Sequence, residues 1–147
     1  WSYCHYKNLW SAANEDHGYS AAPVVKTIYD PSPVGFHVPS SSAFTGFTTS
    51  GKEESAPAGI KVDGEWNNGW SFIGISRFSP AYFPAAGHRG SHDNKLYKNK
   101  VAGYYWTAIP SSLYQAISLY LDQNKVNPVH SAFHRANAFS IRPETDN

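Results

Sequence analysis

The sequence predicts a single α+β domain built from short strands and long loops, with little helix. Three observations carry this. At 147 residues the chain suits one domain and can bury a real core. Its aromatic fraction of 16% equals its charged fraction, with no Met, so the core must be made of rings rather than aliphatic chains. The apolar periodicity is mostly two rather than 3.6, in short runs broken by Gly, Pro, Asn and Ser.

Taken in order, residues 1–28 read as an irregular N-terminal segment. Trp1, Tyr3, Tyr6, Leu9 and Trp10 are followed by the breaker Asn14-Glu15-Asp16-His17-Gly18. Val24–Tyr29 is β-branched and aromatic, which predicts a strand, and Asp30-Pro31-Ser32-Pro33 ends it in an extended turn. Ser40-Ser41-Ser42 is placed to cap a short helix through Phe44 and Phe47. Residues 48–59 are a surface loop. Asn68-Gly69, between aromatic runs, predicts a hairpin turn. Tyr82-Phe83-Pro84 is a buried step, and Gly103–Ala108 a central strand that buries Trp106. In Ile117–Asp122, strict alternation turns Ile117, Leu119 and Leu121 inward and Ser118, Tyr120 and Asp122 outward. Asn127-Pro128 predicts a turn, and Phe139–Pro143 a closing strand.

The composition narrows the chemistry. A net charge of +1 supplies no field for nucleic acid. Cys4 is the sole cysteine, which excludes an internal disulfide and a cysteine-rich zinc site. No apolar run approaches the ~20 residues of a membrane span. The chain starts at Trp1 without Met, which reads as a piece of a longer exported product. The serines lie in turn clusters, no Gly-x-Ser-x-Gly occurs, and no carboxylate sits in an apolar stretch that would tune it for acid–base work. His88/His92 and His130/His134 have a four-residue spacing, but both stretches read as loops without a third ligand. They are taken as surface contacts, and no metal or other cofactor is expected. Glu65-Trp66-Asn67 and Asn127-Pro128 are too sparse in oxygen ligands for calcium.

The positive signal lies within 91–134. Short patches of Ser, His, Asp, Asn, Tyr and Leu alternate there with aromatic framework. The patches are Ser91-His92-Asp93-Asn94, Tyr97 with Asn99, Ser111-Ser112-Leu113-Tyr114, the row Ser118/Tyr120/Asp122, and His130-Ser131-Ala132-Phe133-His134, read as a loop exposing Phe133. Such chemistry suits contact surfaces, where rigid amphipathic rings supply area at low entropic cost.

Four ordered stretches carry a resemblance: Asp30-Pro31-Ser32-Pro33-Val34-Gly35-Phe36-His37-Val38-Pro39, Phe83-Pro84-Ala85-Ala86-Gly87-His88-Arg89, Gly103-Tyr104-Tyr105-Trp106-Thr107-Ala108 and Arg135–Pro143. Together they resemble the Fibrobacter succinogenes major paralogous domain, found at the C-terminus of fimbrillin-like surface proteins. The resemblance implies a C-type-lectin-like fold over the single domain 1–147. It also implies, as in some members, a variable protein of a diversity-generating retroelement. There, rewriting of Asn (AAC) codons reaches Tyr, Ser, His, Asp, Phe, Leu and Ala but not Trp, Gln or Lys. The patches hold only reachable types, while Lys95, Trp106, Gln115, Gln123 and Lys125 fall between them. Two positions depart from the family pattern: Ser32 stands for a frequent Cys, and Ala138 for a Gly, where a positive φ would be strained. The active-site cysteines of formylglycine-generating enzymes, which share that fold, have no counterpart here.

The expectation is therefore a non-enzymatic recognition or adhesion domain. It would sit on the surface or pilus of a Gram-negative bacterium and bind a protein or glycan on another cell or a phage through residues 91–134. Fimbrial subunits would be neighbours, with no nucleic acid and no membrane span. A capping domain of a fimbrial protein, without its own ligand, is the alternative. The expected framework is Trp66, Trp70, Phe83, Tyr104, Trp106, Phe139, Ile117, Leu119 and Leu121.

Overall fold

A computed structural model of the chain describes residues 6–20, 22–73 and 80–146. Trp1, Tyr3 and Cys4 lie outside the described residues. Among those described, the strands are β1 (Phe36–His37), β2 (Gly69–Phe72), β3 (Ala81–Pro84), β4 (His88–Arg89), β5 (Leu96–Tyr97), β6 (Ala102–Pro110), β7 (Gln115–Asp122), β8 (Val126–His134) and β9 (Glu144–Thr145). They form antiparallel pairs β1–β9, β2–β3 and β4–β5, and one three-stranded sheet in the order β6-β7-β8.

The fold is mostly β, with 38% strand and 4% helix, and this corrects the α+β expectation. The predicted helix after Ser40 is a run of turns ending in a single 3₁₀ turn at Thr45–Phe47. The Thr45 hydroxyl and N–H both turn back to the Ser42 carbonyl. Beyond them Gly46 and Thr48-Thr49-Ser50-Gly51 favour no helix. Phe44 and Phe47 still reach the core, but from turns.

Other elements moved for identifiable reasons. Among the described residues Val24–Tyr29 has no neighbouring strand, only an isolated bridge from Lys26 to Ser11, and Ile28 is 92% exposed. Asn68-Gly69 is a turn, with Asn68 at φ 51, but it introduces β2, whose partner is β3 rather than the chain before the turn. Asn127-Pro128 lies inside β8, and the reversal falls at Gln123-Asn124, where Asp122 Oδ1 accepts the N–H groups of Asn124 and Lys125. A strand proline is tolerated there because β8 is an edge of its sheet. Residues 139–143 form no strand, and their backbone pairs with β6 only through Ser140.

The sheet is covered on both faces. Tyr105, Leu119 and Leu121 point into a core with Phe44, Phe47, Phe72, Phe83 and Val126, where Phe47 stacks on Phe72 at 3.9 Å between ring centres. A second cluster gathers Val38, Ala108, Ile109 and Ile117. All nine residues of β6 are buried, although β6 pairs with only one strand. Its outer edge is closed by loops instead: Gly87 N–H to Ala102 O, Ser140 N–H to Tyr104 O, Trp106 N–H to Ser140 O, Ala108 N–H to Pro39 O and Gly18 N–H to Pro110 O. The cover satisfies the backbone groups that an open edge would leave unpaired. Trp106 is 4% exposed, as expected for the middle of this strand.

Candidate functional site

The second face of the sheet is aromatic. Register pairs Tyr104 with Tyr120 and Trp106 with Ser118, so these four share one side. Phe139 lies over them, stacked on Trp106 at 4.1 Å and 4.9 Å from Tyr104. Phe133 meets Tyr104 at 5.2 Å and Phe139 at 5.2 Å, and stacks on His130 at 4.1 Å. His88 packs on Tyr104 at 4.5 Å and carries Tyr97 at 5.7 Å. Rings therefore run in contact from Tyr97 through His88 and Tyr104 to Phe133, His130 and Tyr120. Tyr104 and Trp106 are its buried base, while Tyr120, His130 and Phe133 are half-buried and Tyr97 is exposed.

The β4–β5 hairpin is docked beside this platform by backbone pairing. Arg89 bridges Ala138, and Ser91 N–H donates to Asn137 Oδ1. Gly87 makes the docking possible. Its φ is 69°, and a Cβ there would stand 2.2 Å from the Tyr97 carbonyl oxygen. At the opposite end, Ser111 Oγ donates to Ser131 O at 2.6 Å, and Tyr114 lies parallel to His134 at 6.3 Å.

The sequence-predicted residues divide accordingly. Tyr97, Tyr120, His130 and Phe133 belong to the ring chain. Ser111, Ser112, Leu113, Tyr114, Ser131, Ala132 and His134 sit together where the β6–β7 turn meets the end of β8. Ser112 spends its hydroxyl on the Tyr114 and Gln115 N–H groups. Ser91, His92, Asp93, Asn94 and Asn99 lie on and around the β4–β5 hairpin. Three expectations are corrected. Ser118 is fully buried, because Trp106 and Phe139 cover that side of β7, so it presents nothing to solvent. Asp122 is occupied as a turn residue: besides the two N–H groups it receives the Tyr120 hydroxyl at 2.5 Å. His130–His134 is strand rather than loop, and Phe133 packs inward on Tyr104. Of the predicted outward row, only Tyr120 contributes to the platform.

No protein-family model, no curated protein and no solved structure matches this chain.

The electrostatics follow from burial. Burial holds His88 below the usual imidazole range, and its Nδ1 is buried with no hydrogen-bond partner. His130 is also lowered, first by burial and then by the Lys125 ammonium. Burial, reinforced by the hydrogen bond to Asp122, pushes the Tyr120 phenol well above its ordinary value. The platform thus offers neutral imidazoles and neutral phenols at pH 7, suited to non-covalent contact. Among the described residues no three His, Cys, Asp or Glu side chains converge on a possible metal position. His88 faces Tyr104 while His92 is exposed, and His130 and His134 stand roughly 13 Å apart along a strand. Among the described residues no helix is long and apolar enough to cross a membrane.

Sequence reasoning missed one group. Glu53, assigned to a surface loop, reaches Asn127 Nδ2 at 3.0 Å and Lys125 Nζ at 3.4 Å, and Lys125 Nζ lies 5.4 Å from the centre of the Tyr120 ring. The loop returns because Glu54 pairs with Val126 on the edge of β8, and nothing local in 48–59 signals that pairing.

Two features of the family-like stretches have structural explanations. Buried Asp30 accepts Ser32 N–H at 2.7 Å and Val38 N–H at 2.9 Å, with Lys26 Nζ at 3.5 Å. Burial alone would raise its pKa, but these donors together hold it below the usual carboxylate value. Ala138 is absent from the positive-φ residues, so the strain expected there does not arise.

Proposed function

We propose that this chain is an extracellular recognition domain, of the surface or pilus-associated type that its four motifs resemble. It binds a protein or glycan ligand through the aromatic platform and the loops flanking it. One observation supports the reading above others: residues from separate patches meet through ring contacts over a buried Tyr104/Trp106 base. A rigid base with half-buried rings at the rim suits a contact surface, since anchored aromatics carry most binding energy. Ser91–Asn94, Tyr97, Asn99, Ser111–Tyr114 and His130–His134 supply the rim, and their composition fits diversification by a retroelement.

The test is a glycan array together with capture of surface proteins from neighbouring bacteria, using the wild-type chain and three variants. Tyr114→Ala, Tyr120→Ala and Phe133→Ala should each weaken a captured ligand about 30-fold, the ~2 kcal/mol of a binding hot spot. Tyr114→Ala should leave Tm nearly unchanged. Unaltered binding in all three variants would remove the platform from recognition. Gene sequences from several isolates supply an independent check, because differences should gather on the rim and spare Tyr104, Trp106 and Phe139.

A further inference from the structure

The β4–β5 hairpin carries charge that the fold does not use. Residues 89–100 include Arg89, Lys95, Lys98 and Lys100, four of the 12 Lys and Arg of the chain, against one acid, Asp93. That acid is already engaged, with Lys95 Nζ at 3.6 Å and the Tyr97 hydroxyl at 2.7 Å. Arg89 donates to the Asn94 carbonyl at 3.0 Å, which leaves its charge uncompensated. Among the described residues Lys98 and Lys100 make no ion pair, and every residue from 92 to 101 is exposed.

Backbone conformation singles out the same two lysines. Lys98 has φ 57 and Lys100 φ 62, in the left-handed region that glycine and asparagine tolerate best. The conformation is fixed by the fold: Lys100 N–H is held by Ala85 O at 2.7 Å, while the Lys98 carbonyl accepts from Val101 and Ala102 at 2.9 Å each. Glycine would suit both positions better. A lysine that costs backbone strain and neutralises nothing among the described residues points to a role for its ammonium outside the fold.

We infer that the β4–β5 hairpin is a docking site for an anionic glycan, with Arg89, Lys98 and Lys100 meeting its carboxylate or sulfate groups. The surroundings favour a sugar over other polyanions. Tyr97 is 43% exposed and offers a ring to a pyranose face, while Asn94, Asn99 and His92 supply planar polar groups for hydroxyls. The strands are two residues each, too short an element to fill a duplex groove. The inference rests on the recognition reading for the neighbouring platform and shares rim residues with it, but its charged contacts, Arg89, Lys98 and Lys100, are side chains that reading does not use.

The experiment measures binding of the full chain to immobilised heparin (sulfated), alginate (carboxylated) and dextran (neutral), with poly-glutamate and duplex DNA as competing polyanions. Wild type should bind heparin or alginate in low salt, and the preferred one assigns sulfate or carboxylate. Dextran should not bind. Affinity should fall steeply with salt as released counterions are recovered. The variant Lys98→Gly/Lys100→Gly should lose about two from the log–log salt slope and bind at least about tenfold more weakly. The same variant should melt ~2–4 °C higher, because glycine relieves both left-handed residues. Opposite signs in binding and stability are the signature of lysines kept for a ligand. Tighter binding to poly-glutamate or DNA than to either acidic glycan would overturn the inference, as would unchanged heparin and alginate binding in the double variant. Tyr120→Ala separates the two readings. If it retains acidic-glycan binding yet loses a ligand from the array, both surfaces act. If Tyr114→Ala, Tyr120→Ala and Phe133→Ala all change nothing while the lysine variant does, the platform reading falls and the hairpin site stands.

Discussion

His88 shows how much one side chain can reveal about a site. It lies among Tyr104, Tyr97 and Phe139 with Nδ1 buried and unpaired. A ring without that nitrogen removes an unsatisfied polar atom. His88→Phe should therefore stabilise the domain by about 1 kcal/mol in urea denaturation. It should also change the pH dependence. Burial lowers the pKa of His88 in the fold, so the unfolded chain binds the extra proton first and stability falls as pH drops below about 6.5. The variant should show a shallower loss between pH 6.5 and 5. An unchanged slope would mean that His88 does not titrate with folding. At this scale the sequence was partly legible. Trp106 was readable as buried because a large ring among Tyr104, Tyr105 and Thr107 has one good place to go. The burial of Ser118 was not, because alternation assigns it a side of β7 without saying that Phe139 closes over that side.

Among the elements, the β4–β5 hairpin depends most on one residue. Gly87 holds φ 69, and a Cβ there would stand 2.2 Å from the Tyr97 carbonyl oxygen, so any side chain both strains the backbone and pushes β5 away. Gly87→Ala should cost more than about 2 kcal/mol, combining strain with the steric clash. Hydrogen exchange should show the damage locally, with protection lost at Gly90 and Tyr97 before β6–β8 is affected. Uniform loss across the sheet would contradict a separable hairpin. Elements were legible where their own residues determine them: β6 follows from a continuous aromatic and apolar run, and β7 from the strict alternation of Ile117–Asp122. They were illegible where a distant partner decides. Among the described residues Val24–Tyr29 has strand-like residues but no partner strand beyond the single bridge to Ser11, and β8 runs through Asn127-Pro128 because its edge position excuses the proline.

Across the molecule, Asp30 links the N-terminal segment to the body through Val38 and Lys26. Its pKa is depressed in the fold, so its stabilisation is present above the unfolded value of about 3.9 and lost as pH falls through that range. Asp30→Asn should lower Tm at pH 7, where the charge-assisted bonds contribute most, and should flatten the acid limb below pH 4. Equal Tm values for wild type and variant at pH 7 would show that the carboxylate contributes nothing. The α+β expectation included a short helix capped by Ser40-Ser41-Ser42 and running through Phe44 and Phe47, and turns stand there instead. Turns deliver both rings to the same core, and serines able to cap a helix also suit turns.

The closure of β6 carries a consequence for how the chain acquires its fold. Its outer edge is completed by Gly18, Pro39, Gly87 and Ser140, segments scattered from near one end of the sequence to near the other. This edge strand, expected to be central, is thus finished only by contacts of long sequence separation, a topology that folds slowly. During synthesis β6, β7 and β8 can pair before Ser140 has emerged, but until then Tyr104 and Trp106 lack both their edge partner and the Phe139 ring that covers them. A nascent chain halted short of Ser140 would expose this aromatic strand to other chains, and so the short segment carrying Phe139 and Ser140 decides whether the strands made before it are safe from aggregation.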